Sequence, residues 1–430
     1  MSAVAERANV MVAGSGGREH AMVAALRRSP YVNEIFVAPG NAGTDTIATN
    51  IPISATDIDR QVSFAKDNNV GLYTAGSENT FVLGAVNAMR EAGVDAYGVD
   101  QEQAQLETDK ILSHKMMVEC GIPCPDGVAA ENYEDAQAFL ANPPWEFVIK
   151  AAGPCGGKGV ELPENIDEAK RIVDEFMLGK KHGEAGERIL FQKREYGPET
   201  SLIAFVNGET VVGLPKTSDY KLKLTGNKGP NTGGMGCIIE PNSEPPKEWL
   251  DAFIQPIATR YAQDGNPLNS FVYAQLIHTQ DGIKVLEYNM RGGDPETQTQ
   301  FRLLKPGADF YLAMRQSLNG IMDPKVVEFD YEKAASTLVL AAEGYPEKPR
   351  TGDPIQGLTS LFEDGVVLFN AGTSSKDGVP VTSGGRVLNM TATGDTLYDA
   401  VGKMYRAADS KKVYFNGMWY RDDIGVKYGN

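Results

Sequence analysis

Lys284-Val285-Leu286-Glu287-Tyr288-Asn289-Met290-Arg291-Gly292-Gly293-Asp294-Pro295-Glu296-Thr297-Gln298 is the most informative run of this chain. Side chains on a strand alternate between faces. That predicts Val285, Glu287, Asn289 and Arg291 on one face and Leu286, Tyr288 and Met290 on the other. The second set is apolar and can pack inward. The first offers a carboxylate, an amide oxygen and a guanidinium, about 6–7 Å apart per two-residue step. A carboxylate beside an amide oxygen suits Mg²⁺, a hard ion that takes few protein oxygens and completes its shell with phosphate. An adjacent arginine suits the charge that develops on a phosphoryl group in transfer. The Gly-Gly-Asp-Pro turn ends the strand and lets backbone approach a ligand closely. An edge strand with a solvated polar face has the same alternation, so this run alone leaves both readings open.

At 430 residues the chain exceeds one ordinary core, and two to four domains are expected. Its composition, 42% hydrophobic and 23% charged, is that of a globular protein. A net charge of −16 argues against a nucleic-acid surface, which needs clustered Lys and Arg, but leaves room for a local phosphate pocket. The four cysteines (Cys120, Cys124, Cys155, Cys237) form no CxxC pair and there are four histidines. Neither a zinc site nor a disulfide framework is expected, and a reducing cytoplasm is. The run Val10–Ala13 stops at Gly14, too short for a signal core or a membrane span.

Residues 9–100 alternate apolar strands (Val10–Ala13, Ile35–Ala38, Gly71–Ala75, Ala96–Val99) with helices near Gly17–Arg28, Ile58–Asn68 and Phe81–Glu91. This alternation predicts a parallel, doubly wound sheet. Its first turn, Gly14-Ser15-Gly16-Gly17-Arg18-Glu19-His20, opens a helix and so offers an anion site. It fails the dinucleotide fingerprint, because Glu19 stands at the last glycine and no acid ends the second strand, so NAD is rejected. A small phosphate-bearing substrate and a purely structural turn both remain. The loops Ala38–Thr44 and Ala75–Thr80 follow carboxyl ends of strands, where open α/β sheets bind ligands.

A domain boundary is expected near 105, before the Pro-rich link Ile122–Pro125. A small α/β unit over 126–190 should hold a helix at Glu134–Leu140, strands at Glu146–Lys150 and Gly159–Leu162, and a helix at Ile166–Met177. Its loop Lys150-Ala-Ala-Gly153-Pro-Cys-Gly-Gly-Lys158-Gly159 is not a Walker loop: Gly153 is one residue too close, and a strand follows. It reads as a hairpin flap over phosphates, or as an exposed hairpin. Strands Thr200–Val206 and Val211–Leu214 come next, then the glycine-dense Gly226–Gly236, whose backbone can approach a ligand. Helix Pro246–Ala262 and strand Val272–His278 lead to a turn at Gln280–Gly282, and helix Ala308–Leu318 closes the unit. A third unit from about 328 carries Ala334–Ala342, Val366–Leu368, Gly385–Met390, helix Leu397–Ala407 and strand Val413–Phe415. Its Thr382–Arg386 loop could hold an anion or simply turn.

Five segments in register carry a resemblance: Gly14–His20, Ala38–Thr44, Gly229–Gly236, Gly293–Gln298 and Thr382–Leu388. Over nearly its whole length the chain resembles the phosphoribosylamine–glycine ligase (glycinamide ribonucleotide synthetase) family of the ATP-grasp superfamily. The resemblance implies an α/β and α+β protein with three domains. They are an N-terminal doubly wound parallel sheet (1–105), an ATP-grasp domain with a mobile lid (106–327, lid 126–190) and a small C-terminal α+β domain (328–430).

It implies that glycine is joined to 5-phosphoribosylamine through an acyl phosphate, with ATP and Mg²⁺ (or Mn²⁺). Lys110, Lys150 and Lys158 would meet the ATP phosphates, Gln192, Lys193, Arg194 and Glu195 the adenine edge, and Glu199 the ribose. Glu287 and Asn289 would hold the metal, and Arg291 with Lys158 would be catalytic. Gly16, Gly17, Arg18, Glu19, Asn41, Gly43, Glu78, Asn231, Thr232, Gly233, Gly234, Met235, Asp294 and Arg386 would border the amine and glycine. Partners would be small molecules only, without nucleic acid or membrane, in a cytoplasmic monomer or weak homodimer.

The chain departs from the family's pattern at Ser77, Asn79, Ala152, Pro154, Gln192, Lys193, Tyr220, Leu222 and Gly292. These changes leave a divergent ligase for another amino acid or amine as an alternative, and after it a non-catalytic nucleotide-binding relative. Gln275 stands where some grasp enzymes carry a further metal-side carboxylate.

Overall fold

The computed structural model describes residues 7–155 and 159–426. The N-terminal sheet is parallel throughout, in the order Thr49–Asn50, Val32–Pro39, Ala8–Gly14, Val70–Ala75, Asp95–Tyr97. Val10, Met11, Val12 and Ala13 are all fully buried, as a strand covered on both faces requires. Helices Gly17–Leu26 and Ile58–Asp67 lie where the apolar period placed them. The single helix expected over Phe81–Glu91 is instead two, Glu78–Val82 and Ala85–Glu91. Gly84 between them takes φ +78°, a left-handed conformation that interrupts the helix.

Two antiparallel sheets follow. Gly127–Ala130, Ile189–Lys193, Phe147–Ala151 and Val160–Glu161 form one, with a core of their own around Phe139, Phe147, Phe176 and Phe191. The other is ordered Thr210–Gly213, Glu199–Asn207, Asn269–Thr279, Gly282–Asn289. Its buried side chains share a core with the N-terminal sheet, from Met11 and Ala13 to Val272 and Tyr288. The helix expected over Pro246–Ala262 is broken into Lys247–Phe253 and Gln255–Gln263, because Pro256 has no N–H to continue the first. The helix expected over Ile166–Met177 stops at Val173 and passes into a π turn over Asp174–Leu178.

A third sheet runs Ser218–Asp219, Gly236–Ile239, Ala334–Ala341, Arg386–Gly394, Val366–Asn370. Its first two strands come from the middle of the chain, and Gly236–Ile239, which follows the glycine-dense loop, pairs with the C-terminal strand Ala334–Ala341. The strand expected at Val413–Phe415 is only a single bridge, Tyr414 to Gln356. Val413 and Phe415 are buried all the same, and apolar content alone misled the reading.

The alternation expected from Val285 to Arg291 is corrected in phase. Gln275 pairs with Glu287 and the next residue, Leu276, with Val285, so Leu286 is a bulge with no partner across the ladder. Val285 therefore joins Tyr288 and Met290 in the core instead of sharing a face with Glu287. Burying Val285 and Met290 contributes about 1.5–3 kcal/mol each, which holds the shifted phase.

Candidate active site

Glu287 lies at the centre of a lysine cluster drawn from three separate parts of the chain. Lys110 opens helix Lys110–Glu119, whose N-terminus Asp109 caps by accepting from the N–H groups of Ile111 and Leu112. Its Nζ is 3.1 Å from Glu287 Oε2. Lys150, near the end of its strand, donates to the Leu286 carbonyl at 3.1 Å. Lys221 follows the edge strand Ser218–Asp219 and pairs with Glu199 at 3.4 Å. Burial works against the charge of Glu287, but Lys110, Lys221 and Lys150 outweigh it and hold the carboxyl well below its ordinary range. Burial also pushes the Lys150 ammonium down to about 8, against the pull of Glu287. Lys221 is shifted the other way, because Glu199, Glu287, Asp219 and Glu296 overcome the cost of its burial. Gln275, across the ladder from Glu287, donates to Glu199 Oε2 at 2.8 Å.

Arg291 continues the row. Its Nη2 is 2.9 Å from Glu107 and 3.2 Å from the amide oxygen of Asn289, and its Nε is 3.6 Å from Glu78. Burial disfavours the guanidinium charge, yet Glu107, Glu78 and Glu296 keep it firmly protonated. Burial in turn raises the Glu107 carboxyl, with Arg291 opposing. Arg18 donates to the Gly292 carbonyl at 2.9 Å, tying the first helix to the end of the Glu287 strand.

The first turn holds a carboxylate of its own. Glu19 accepts from the Gly16 N–H at 2.6 Å and from Arg18 Nε at 2.8 Å. A Cβ on Gly14, Gly16 or Gly76 would run into that side chain, which is why three glycines surround it. A Cβ on Gly17 would meet Asn389 and Gln298, and one on Gly43 would meet His20 and Asn370. Asn41 is buried, donates to the carbonyls of Ser15 and Asn370 at 2.9 Å, and accepts from the Gly43 and Thr44 N–H groups.

Beyond Arg291 the wall turns toward the C-terminal sheet. Asp294 accepts from Gln298 at 2.7 Å and lies 3.4 Å from Arg386, and Arg386 and Arg18 together outweigh burial to keep it ionised. Arg386 also donates to the carbonyls of Gly233 and Asp294, closing the glycine-dense loop onto the Gly293–Pro295 turn. Thr232 donates to the Lys221 carbonyl at 2.8 Å and accepts from the Gly234 N–H, while Asn231 is exposed and Met235 fully buried. Gly234 has φ +107°, and a Cβ there would sit 2.7 Å from Pro295 and 2.8 Å from Asp219. Beneath this wall lie Asp219, raised well above its ordinary range by burial and by Glu296, and Glu296, which accepts from Tyr273 at 2.8 Å.

The family profile for the phosphoribosylglycinamide synthetase ATP-grasp (A) domain matches residues 108–297, its N domain 8–107 and its C domain 335–427. The chain belongs to the phosphoribosylglycinamide synthetase family. It is 38% identical to a phosphoribosylamine–glycine ligase of Pasteurella multocida over 427 residues, covering 97% of this chain and 98% of that one. The crystal structure of a phosphoribosylamine–glycine ligase from Thermotoga maritima superposes with a TM-score of 0.83 at 31% identity, covering 97% of this chain and all of that one. The biotin carboxylase domain of Hydrogenobacter thermophilus 2-oxoglutarate carboxylase shares the fold, with a TM-score of 0.72 at 15% identity over 96% of this chain and 91% of that one.

The Glu287 cluster lies wholly within the ATP-grasp match, 108–297, whereas Arg291's acidic partners Glu78 and Glu107 fall in the N-domain match. Gln192 is buried at the end of Ile189–Lys193, and its amide nitrogen has no hydrogen-bond partner among the described residues. The N–H groups of Lys193 and Arg194 are already bonded to the carbonyls of Asp126 and Glu146. Arg194 lies over the Tyr196 ring, and Glu195 pairs with Lys284 at 2.6 Å. These four residues form a separate group from the Glu287 cluster, linked to its strand through Lys284. Lys158 lies outside the described residues.

Sequence reasoning passed over Glu107, Lys221, Asp219 and Glu296 as site residues. Lys221 and Asp219 share a run already noted as departing from the family pattern, and Glu296 falls within Gly293–Gln298. Glu107 carries no motif. Among the described residues no helix is long and apolar enough to cross a membrane.

Proposed function

We propose that this chain joins glycine to 5-phosphoribosylamine with ATP, yielding glycinamide ribonucleotide, ADP and phosphate, a step of purine biosynthesis. The observation that carries this reading is the cluster of Lys110, Lys150 and Lys221 around Glu287, beside Arg291, in a member of this family. A carboxylate resists attack by an amine. When a glycine oxygen attacks the γ-phosphorus, ADP leaves and an acyl phosphate forms. The amine nitrogen then attacks the acyl carbon, phosphate departs, and the nitrogen loses a proton.

Such a transfer asks the protein mainly for positioning and for charge stabilisation. Lys110 and Lys150 bind the phosphates, and Arg291 stabilises the charge on the transferring group. Glu199 takes the ribose hydroxyls, and the Gln192–Glu195 segment reads the adenine edge. With the N–H groups of Lys193 and Arg194 already bonded, the backbone N–H of Glu195 is the donor of that segment we assign to the base. Lys158 joins the phosphate group on the resemblance of its loop. Gly16, Gly17, Arg18, Glu19, Asn41, Gly43, Glu78, Asn231–Met235, Asp294 and Arg386 border the amine and glycine.

Glu287 and Asn289 fit Mg²⁺: they supply an ionised carboxylate and an amide oxygen. Bound there, the ion would neutralise phosphate charge and align the γ-phosphate. We further propose domain divisions near 105 and 327. The sheet over 127–193 and its separate core, extending slightly past the 190 expected for the lid, would act as the lid that keeps water from the acyl phosphate. The protein is read as a cytoplasmic monomer or weak homodimer.

The test is ADP release by purified protein with ATP, Mg²⁺ and a panel of amino acids, with and without phosphoribosylamine generated in situ. Turnover restricted to glycine with phosphoribosylamine supports the assignment. Turnover with another acid or amine overturns the substrates while keeping the ligase, and ATP binding without turnover in any mixture overturns catalysis.

A further inference from the structure

Glu107 takes no part in the reaction as drawn, yet it makes the shortest charged contact to Arg291. It sits on the short helix Gln105–Thr108, is 7% exposed, and belongs to the segment that leads from the N-terminal sheet into Lys110. Its two oxygens do different things. One accepts from the Met290 N–H at 2.7 Å, and the other lies 2.9 Å from Arg291 Nη2. A single carboxylate thus holds the Met290 N–H, one residue before Arg291, and the end of the Arg291 side chain. Those two anchors together limit where the guanidinium can point. The other contacts of Arg291, 3.2 Å to Asn289, 3.4 Å to the Gly292 carbonyl and 3.6 Å to Glu78, are longer.

We infer that Glu107 is the positioning residue for Arg291, holding the guanidinium ready for the transferring phosphoryl group without touching substrate itself. This rests on the role given to Arg291 above. Arginine has many rotamers, and a guanidinium stabilises developing charge well only if it need not reorganise as the reaction proceeds. A carboxylate that grips both backbone and side chain supplies that preorganisation. Neutralising Glu107 should therefore slow the chemical step while leaving ATP and glycine binding in place.

The test compares Glu107→Gln, Arg291→Lys and the double variant in the full chain. Steady-state ADP release, equilibrium ATP binding and the thermal midpoint are measured for each. Glu107→Gln keeps an acceptor for the Met290 N–H but loses the charge facing Arg291. Its kcat is expected to fall about 10–100-fold, with KM for ATP and glycine and the ATP Kd within about threefold of wild type. The double variant is expected to be no slower than Arg291→Lys within about threefold, because both changes disable one unit. An unchanged kcat in Glu107→Gln overturns the inference, and so do losses that multiply in the double variant. Should Glu107→Gln not fold, Glu107→Asp replaces it. The shorter side chain cannot make both contacts, so a lowered kcat at constant KM supports the role and wild-type kcat overturns it. Should the wild type use a different acid or amine, ADP release in that mixture gives the same comparison, which separates this inference from the substrate assignment.

Discussion

The ammonium of Lys150 donates to the carbonyl of Leu286 at 3.1 Å, and that carbonyl belongs to the bulge in the Glu287 strand. The bulged residue has no partner across the ladder, so its backbone can serve a side chain from another sheet. The contact brings Lys150 beside Glu287 in a buried place, where its ammonium is pushed down to about 8.

A pH dependence of ATP binding follows from that value. Lys150 is largely protonated below about pH 8 and loses its charge above it. A bound phosphate favours the charged form, so binding takes up a proton in alkaline solution. The Kd for ATP is expected to rise above pH 8, by up to about tenfold per pH unit, until Lys150 loses its proton in the complex as well. Titration calorimetry in buffers of different ionisation enthalpy would show the proton uptake. Lys150→Arg should remove the inflection, and an ATP Kd flat from pH 7 to 9.5 in the wild type would contradict the assignment.

Glu287→Ala removes the acid that three lysines share. Lys110, Lys150 and Lys221 would then repel one another with less compensation, although Glu199 remains beside Lys221. Ligation is expected to fall by at least about a thousandfold, on the scale of losing charge stabilisation at a transferring group. The circular dichroism spectrum should be unchanged. Undiminished ADP release in this variant would remove Glu287 from the metal site.

Acid sensitivity should centre on His20. Its ring is buried, accepts from the Asn370 N–H at 2.9 Å and packs edge-on against Phe369, and burial pushes its pKa to about 4. The folded value lies below the unfolded one of about 6.5, so the unfolded chain protonates first on acidification. Stability from this group is therefore present above about pH 6.5 and is lost progressively down to about pH 4, worth up to about 3 kcal/mol. Urea midpoints measured from pH 7 to 4.5 should fall less steeply in His20→Asn, which keeps an acceptor for Asn370. Parallel curves would show that other groups carry the acid limb.

Gly76→Ala tests the carboxylate held in the first turn. Gly76 has no positive φ, but its added Cβ would overlap the Glu19 carboxylate and break the bonds that hold it to Gly16 and Arg18. A cost of about 1–3 kcal/mol in stability is expected from the overpacking. If Glu19 borders the amine, KM for phosphoribosylamine should rise about tenfold or more while KM for ATP stays within twofold. Equal changes in both would place Glu19 outside the amine pocket.

Much of this architecture was legible before any coordinates. The run Val10–Ala13 and the strand–helix alternation after it specify a parallel sheet, because a strand buried on both faces must be apolar throughout. Glu287, Asn289 and Arg291 were legible as a row because alternation is a local property of strands. The same rule misplaced Val285, since a bulge inserts one residue and reverses the phase, and its position depends on what the neighbouring strand and core require. The single helices expected over Phe81–Glu91 and Pro246–Ala262 broke at Gly84 and near Pro256, residues visible in the sequence but underweighted there.

The linear chain by itself determined the family, the order of its sheets' strands along the chain and the row of polar groups ending in Arg291, all set by short-range periodicity and by segments matched in register. Only the tertiary structure decided which charges meet. Glu107 reaches Arg291 across 184 positions and Lys110 reaches Glu287 across 177. Electrostatic partnership depends on distance in space and on the water excluded between groups, and neither is written in the spacing of residues along a chain.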